Sequence, residues 1–292
     1  MNSAHTPTWS AGRPFKVDGA TRATRSEVFT IGISDDHASW NTPMSVSMIE
    51  NSTYNHDVGI KWLQQAEGEH ASIASFARHT LQLMSIGAPS ELLEASQAAA
   101  IDEIKHAKMC YGLASTFMDK EVIPGVLDVD KSLNELELKD IIRSIIQEGC
   151  MEETLAAIEA HYRESLAQDP FVKVALKEIA EDETKHAKLA WDTIGWIAKT
   201  HPEYINFIEG TFKNQFNNEK QVLHHLASSE TSICPDYGKD EYLQRFGILV
   251  PSDQEKVRRF GMEKIIKPTF ESGTGQFNSI FDKIIGLNVD FI

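Results

Sequence analysis

One seven-residue pattern occurs twice in this chain, 80 positions apart: Asp102-Glu103-Ile104-Lys105-His106-Ala107-Lys108 and Asp182-Glu183-Thr184-Lys185-His186-Ala187-Lys188. Six of the seven residues are identical. Each copy contains Glu-x-x-His, and on a helix that spacing puts both side chains on one face, a turn apart. A carboxylate or imidazole facing a core is costly unless it is paired or bound to a cation. Two such faces turned toward each other supply four of the six ligands of a dinuclear carboxylate site. A single Glu-x-x-His would read as chance or as a surface pair; two in one shared context do not.

The surrounding periodicity is helical from about 57 to 199. The first helix spans about 58–84, with Trp62, Ala66, Glu69, Ile73, Phe76 and Leu83 on one stripe. Gly87-Ala88-Pro89-Ser90 ends it and opens the second, at about 91–118, whose stripe reads Leu92, Ser96, Ala99, Glu103, His106, Cys110, Leu113 and Phe117. Residues 119–134 carry Pro124, Gly125 and several Asp and read as a loop. At about 3.3 Å per residue they reach roughly 50 Å, enough to cross the length of a bundle. The third helix spans about 136–167, Asp169-Pro170 breaks it, and the fourth spans about 171–198. The expected fold is all-α: two hairpins joined by one long crossover, a four-helix bundle of the ferritin-like connection. An irregular arm (1–56, with Val28–Ile33 as a short extended piece) precedes it. A helical extension (200–292, helices near 205–228, 253–269 and 276–285, with a polar loop around Cys234–Gly238) follows and packs on the bundle.

The other two helices must each add a Glu. On the first, Glu69 lies on the apolar stripe and Glu67 points about 160° away from it. On the third, Glu148, Glu152, Glu153 and Glu159 compete. Laying the second hairpin on the first aligns Glu153 with Glu69, so Glu153 is the choice, with Glu148 an alternative or extra carboxylate and Glu152 third. Asp102 and Asp182 precede the two ligand glutamates. Metal-bound imidazoles donate their other N–H to a carboxylate or carbonyl, so Asp182 is expected to orient His106 and Asp102 to orient His186; partnership with the nearby lysines is the competing reading. His70 and His161 are candidates for a further ligand, though packing is the plainer role for each. The His224-His225 pair has no matching motif and reads as surface. Tyr111 and Tyr162 read as core aromatics or electron relays, Cys110 as a residue lining a cavity, and Cys150 as a small core residue.

The set Glu69, Glu103-x-x-His106, Glu153 and Glu183-x-x-His186 resembles the ferritin-like di-iron carboxylate superfamily, with a site similar to those of rubrerythrin and the tRNA hydroxylase family. The resemblance covers about 58–199, roughly half of the chain. It implies two iron ions, with Fe/Mn or Mn/Mn as alternatives compatible with carboxylate and imidazole donors. It also implies use of O2 as an oxygenase or oxidase on a small organic substrate, by hydroxylation, desaturation or N-oxygenation. The alternative is a ferroxidase or peroxide scavenger without an organic substrate. Small residues near the ligands (Ser72, Ala99, Ala107, Gly149, Ala156, Ala187, Ala190) leave room for a substrate or else let helices pack closely.

Composition narrows the partners. The 292 residues carry a net charge of −15 and no Lys/Arg-rich run, which argues against nucleic acid and against a tRNA substrate. Three cysteines without a Cys-x-x-Cys fit a reducing compartment and exclude a four-cysteine iron centre on this chain. Neither a signal peptide nor a membrane span is read from the sequence, so a cytoplasmic protein is expected. With no flavin or ferredoxin motif, an external electron donor is expected; a homodimer through the C-terminal helices stays open.

Overall fold

Helix boundaries follow local chemistry. In the computed structural model, which describes residues 12–29, 40, 45–50, 52–134, 136–229, 236–272 and 284, helix α1 (Asn55–Ser85) runs to a turn in which Gly87 takes φ +69°, and the Ala88 amide donates back to the Leu83 carbonyl at 3.0 Å. That left-handed position is the one glycine fills without strain. Pro89 then precedes α2 (Ser90–Met118). The third helix begins as α3 (Leu138–Ser144), passes through a π-helical segment (Ile145–Glu153) and continues as α4 (Thr154–Leu166). Asp169 caps α5 (Pro170–Thr200), accepting from the Phe171 and Val172 amides at 2.9 and 3.2 Å. Its other carboxylate oxygen accepts from the Ser47 and Met48 amides, tying residues 45–50 to the same helix end.

Each short turn makes an antiparallel hairpin, α1 with α2 and α3–α4 with α5. The hairpins meet closely along α2 and α5. On the opposite side, long side chains bridge α1 and the third helix: Arg78 to Glu148, and Arg163 to Gln65. Gly149 and Ala190 touch where the π-helical segment crosses α5; a Cβ at 149 would lie 2.5 Å from that of Ala190. At this pair the small residues serve close helix packing and open no cavity.

The crossover is not wholly irregular. Its β4 (Glu121–Ile123) pairs antiparallel with β3 (Glu27–Phe29) of the N-terminal arm, following a small ribbon of β1 (Lys16–Val17) and β2 (Ala20–Thr21). The extended piece expected at Val28–Ile33 is thus strand as far as Phe29; Ile31, Gly32 and Ile33 lie outside the described residues. After α5 come α6 (Ile205–Ser229), α7 (Tyr237–Arg245), α8 (Pro251–Phe260), a second π-helical segment (Gly261–Ile266) and α9 (Lys267–Glu271). Tyr237 and Gly238, read as loop, begin α7, with Asp236 as its cap. Cys234, the side chains of His224 and His225, and all of 276–285 but Ile284 lie outside the described residues.

Apolar residues gather in two main cores. One joins α3–α5 to the C-terminal helices through Leu155, Ile158, Trp191, Phe212, Val257 and Met262. The other joins α1, α2 and the first half of α5 to α7 through Trp62, Tyr111, Leu176 and Phe246. Fully buried Arg258 pins α8 against the third helix, at 2.9 Å from Glu152 and 3.1 Å from Glu159. Among the described residues, no helix is long and apolar enough to cross a membrane.

Candidate metal centre

The carboxylates and imidazoles of the repeat converge between the two hairpins. Glu69, Glu103, Glu153, Glu183 and His106 have no exposed surface, and His186 is 2% exposed. Two groups of donors form there: Glu69, Glu103, Glu183 and His106, and Glu103, Glu153, Glu183 and His186. Within each group the donor atoms lie within 4.8 Å of one another. Metal–oxygen bonds of about 2.0–2.5 Å place opposed donors about 4–5 Å apart, so each group matches the size of one coordination sphere. Glu103 and Glu183 belong to both groups; Glu69 and His106 complete one, Glu153 and His186 the other.

The hydrogen bonding has the same organisation. Nδ1 of His106 points at the carboxylates, 3.7 Å from Glu183, 3.8 Å from Glu103 and 3.9 Å from Glu69. Its Nε2 faces away, 3.3 Å from Asp182. His186 repeats this, with Nδ1 at 3.2 Å from Glu103 and 3.7 Å from Glu183 and Nε2 at 3.4 Å from Asp102. Each aspartate therefore reaches across the hairpins to the other copy's histidine. Asp182 also takes a bond from Lys185 at 2.7 Å, so the two readings of this residue coexist.

Buried donors without partners mark where a cation fits. Among the described residues, Oε2 of Glu69, both carboxylate oxygens of Glu103, Glu153 and Glu183, and Nδ1 of His106 and His186 have no hydrogen-bond partner. Leaving so many buried acceptors unpaired is costly unless a cation satisfies them. Without one, protons take that part. Burial and then the charges of Glu103 and Glu183 push Glu69 well up; burial and then Glu183 do the same to Glu153. Burial opposes charge on His106, but Asp182 and Glu103 outweigh it and lift its pKa to about 10. His186 is raised well above its usual value against burial by Asp102, Glu103 and Glu183. Burial would raise Glu103 too, yet both histidines hold it down to about 2. The buried Glu/His cluster can hold a metal ion.

Other candidate residues have different duties. Glu148 is set apart from the cluster: its Oε2 takes bonds from Arg78 at 2.6 Å and from Ser75 and Ser144 at 3.1 Å each. One oxygen of this alternative ligand is thus engaged by Arg78, Ser75 and Ser144, and Glu148 belongs to neither donor group. Glu152 and Glu159 pair with Arg258, and Glu67 accepts from the Ser26 amide and hydroxyl. The rings of His70 and Trp40 meet edge-on at 5.2 Å, and His161 lies 3.3 Å from the Thr184 hydroxyl. Tyr111 is buried with its hydroxyl 3.4 Å from that of Ser26. Burial, then the Glu69 charge, raises the Cys110 thiol, which keeps it neutral.

Residues that periodicity did not mark complete the surroundings. Gln65 donates to Glu69 Oε1 at 2.5 Å; Arg163 in turn donates to the Gln65 carbonyl oxygen at 2.9 Å and to the Gly247 carbonyl at 2.6 Å. Gly12 covers the Glu69 end: a Cβ there would meet Glu69 Oε2 at 3.0 Å and Ser72 Oγ at 2.9 Å, and its φ is +92°. Gln65 sits one turn before Glu69, the one signal that pointed to it. Gly12 and Arg163 are distant in sequence and gave none.

Comparison with protein-family models, with curated proteins and with solved structures yields no significant match, so the donor set and its geometry carry the functional argument.

Proposed function

We propose that this chain is a ferritin-like di-iron protein, its bundle formed by residues 57–199, that uses O2 to oxidise a small organic molecule. The observation that carries this reading is the division of the six residues into two donor groups that share Glu103 and Glu183. Shared carboxylates hold two ions close together, and four carboxylates balance two divalent charges while positions stay open for exogenous ligands. Bound there, a pair of ferrous ions supplies the electrons that activate O2.

The chain's own residues bind, orient and seclude. Asp102 and Asp182 hold the Nε2–H of each histidine and so direct Nδ1 inward. Gln65, itself held by Arg163, fixes one oxygen of Glu69 and leaves the other for a metal. The full burial of the ligands and the cover at Gly12 keep bulk water out, which favours resident ions over the traffic of iron that a storage protein needs. Electrons for repeated turnover come from a separate donor.

The test is anaerobic iron loading followed by rapid mixing with O2. The oxygenase reading expects a transient absorbance that decays faster when a substrate is present. Rapid oxidation of excess Fe(II) to a ferric product, turnover after turnover and indifferent to organic additives, would replace it with the ferroxidase reading.

A further inference from the structure

Beside the cluster, on its Glu153 side, lies a buried cation whose donors are unfilled. Arg13 is 1% exposed, and among the described residues Nε, Nη1 and Nη2 all lack a hydrogen-bond acceptor. Its nearest anion is Glu148, with Oε2 3.6 Å from Nε, and that oxygen already takes bonds from Arg78, Ser75 and Ser144. The guanidinium lies over the ring of Phe76 at 5.2 Å, and the His186 ring meets the same phenyl ring edge-on at 5.0 Å. Nη1 is 3.7 Å from where a Cβ of Gly149 would be, one turn of the π-helical segment before Glu153. A second orphan accompanies it. His79, about one helical turn beyond Phe76 on α1, has no exposed surface and, among the described residues, no hydrogen-bond partner on either ring nitrogen. Burial, then the charges of Arg13 and Arg78, keeps its ring neutral, so it offers one donor and one acceptor.

Charge balance gives the missing partner a sign. With two divalent ions in place the four ligand carboxylates are neutralised. Among the described residues, Arg13 and Arg78 then face the single charge of Glu148, and one buried arginine is left uncompensated. A carboxylate restores neutrality and matches the two parallel N–H bonds that a guanidinium offers.

We propose that Arg13 and His79 form the anion-binding end of the substrate pocket, taking the carboxylate of a small organic acid and directing the rest of the molecule toward the Glu153 side of the metal pair. This rests on the di-metal reading above and names the substrate class it leaves open. Arg13 is a binding residue here, and its effect is read without turnover.

The experiment titrates the full chain, loaded with redox-inert Zn(II), with propionate and benzoate, with the neutral amides of both, and with inorganic phosphate, by calorimetry. In parallel the 15Nε resonances of arginine-labelled protein are followed. The expected result is saturable binding of a carboxylate, about tenfold or more tighter than its amide, with one arginine Nε resonance moving. Arg13→Gln should weaken it about tenfold at unchanged metal content, and Arg13→Lys by less. Equal affinity in wild type and Arg13→Gln, with metal content unchanged, overturns the assignment, because the carboxylate then sits on the metals alone. Tighter binding of phosphate than of either carboxylate overturns the substrate class. If Arg13→Gln does not fold, the wild-type contrast between carboxylate and amide and the response of His79→Phe decide. Loaded wild type that binds no anion overturns this inference and leaves the di-metal reading standing; wild type that takes up no metal overturns both.

Discussion

The two halves of the donor cluster share one motif and one aspartate–histidine pairing, and differ around their outer glutamates, Glu69 and Glu153. At the Glu69 end, the ligand comes from a regular α-helix, one oxygen is held by Gln65, and Gly12 lies against the other. At the Glu153 end, the ligand closes a π-helical segment and, among the described residues, neither its oxygens nor the donors of nearby Arg13 have a hydrogen-bond partner. A repeated sequence therefore yields matched ligands but unmatched surroundings. One end is fixed and covered; at the other, no described residue holds the carboxylate by a hydrogen bond, which leaves it free to change its binding mode. Helix distortions of the π type occur often at functional sites, where the wider turn redirects a side chain.

The largest effect expected follows from the sharing. Glu103→Ala or Glu183→Ala removes a ligand from both donor groups and should reduce metal content to near none, whereas Glu69→Ala or Glu153→Ala should leave about one ion per chain. Equal losses for all four, by elemental analysis after desalting, would break the distinction between shared and terminal ligands.

Next comes pH, because protons and metal compete for the same atoms. In the metal-free protein His106 has its pKa lifted from 6.5 to about 10, and His186 is raised in the same direction. A histidine raised on folding contributes stability that is fully present below pH 6.5 and is lost as pH climbs toward the folded value. The raised Glu69 and Glu153 begin the same decline above pH 4.5. Glu103, held at about 2, acts oppositely, with a contribution lost only as pH falls from 4.5 through 2. Metal-free protein should therefore fall in Tm between pH 6.5 and 9 while the loaded form holds, so the gap between them widens. A metal-free Tm that rises across that interval would contradict the proton bookkeeping.

Smaller is the loss of the aspartates that orient the histidines. Asp182→Asn and Asp102→Asn should weaken metal affinity by about 10–100-fold. Asp182 should be the costlier, since its side chain is 8% exposed against 28% for Asp102. Competition with a chelator measures both; a reversed order would mean that burial does not set the strength of the pair. The smallest effect concerns the cover. Gly12→Ala puts a methyl 3.0 Å from Glu69 Oε2 at a φ of +92° and should cost about 1–3 kcal/mol in chemical denaturation. An unchanged midpoint would show that the arm does not close on the Glu69 end.

Much of this was legible in the sequence because it is periodic and local. The repeat and the 3.6-residue period put Glu69, Glu103, His106, Glu183 and His186 on inward stripes, and comparison of the hairpins selected Glu153 over Glu148. The pairing of each aspartate with the opposite histidine was one of two readings the sequence left open, beside partnership with the nearby lysines, and Asp182 makes both contacts. The π-helical segment was not legible: Ile145–Glu153 satisfies a helical pattern either way, and the extra residue per turn comes from packing, as where Gly149 meets Ala190. The ribbon between Glu27–Phe29 and Glu121–Ile123 joins segments too short and too far apart for a pattern to register. Arg13 and Arg163 are hidden for a related reason, since nothing in composition distinguishes a buried arginine from the exposed kind.

Whether two ions sit together on shared carboxylates decides between a dinuclear centre and a single isolated ion. Elemental analysis and EPR of the iron-loaded, air-oxidised protein test this directly. The prediction is two irons per chain and a ferric pair close enough to couple antiferromagnetically and so be EPR-silent. One iron per chain with the signal of an isolated high-spin ferric ion, or no iron at all, would contradict it.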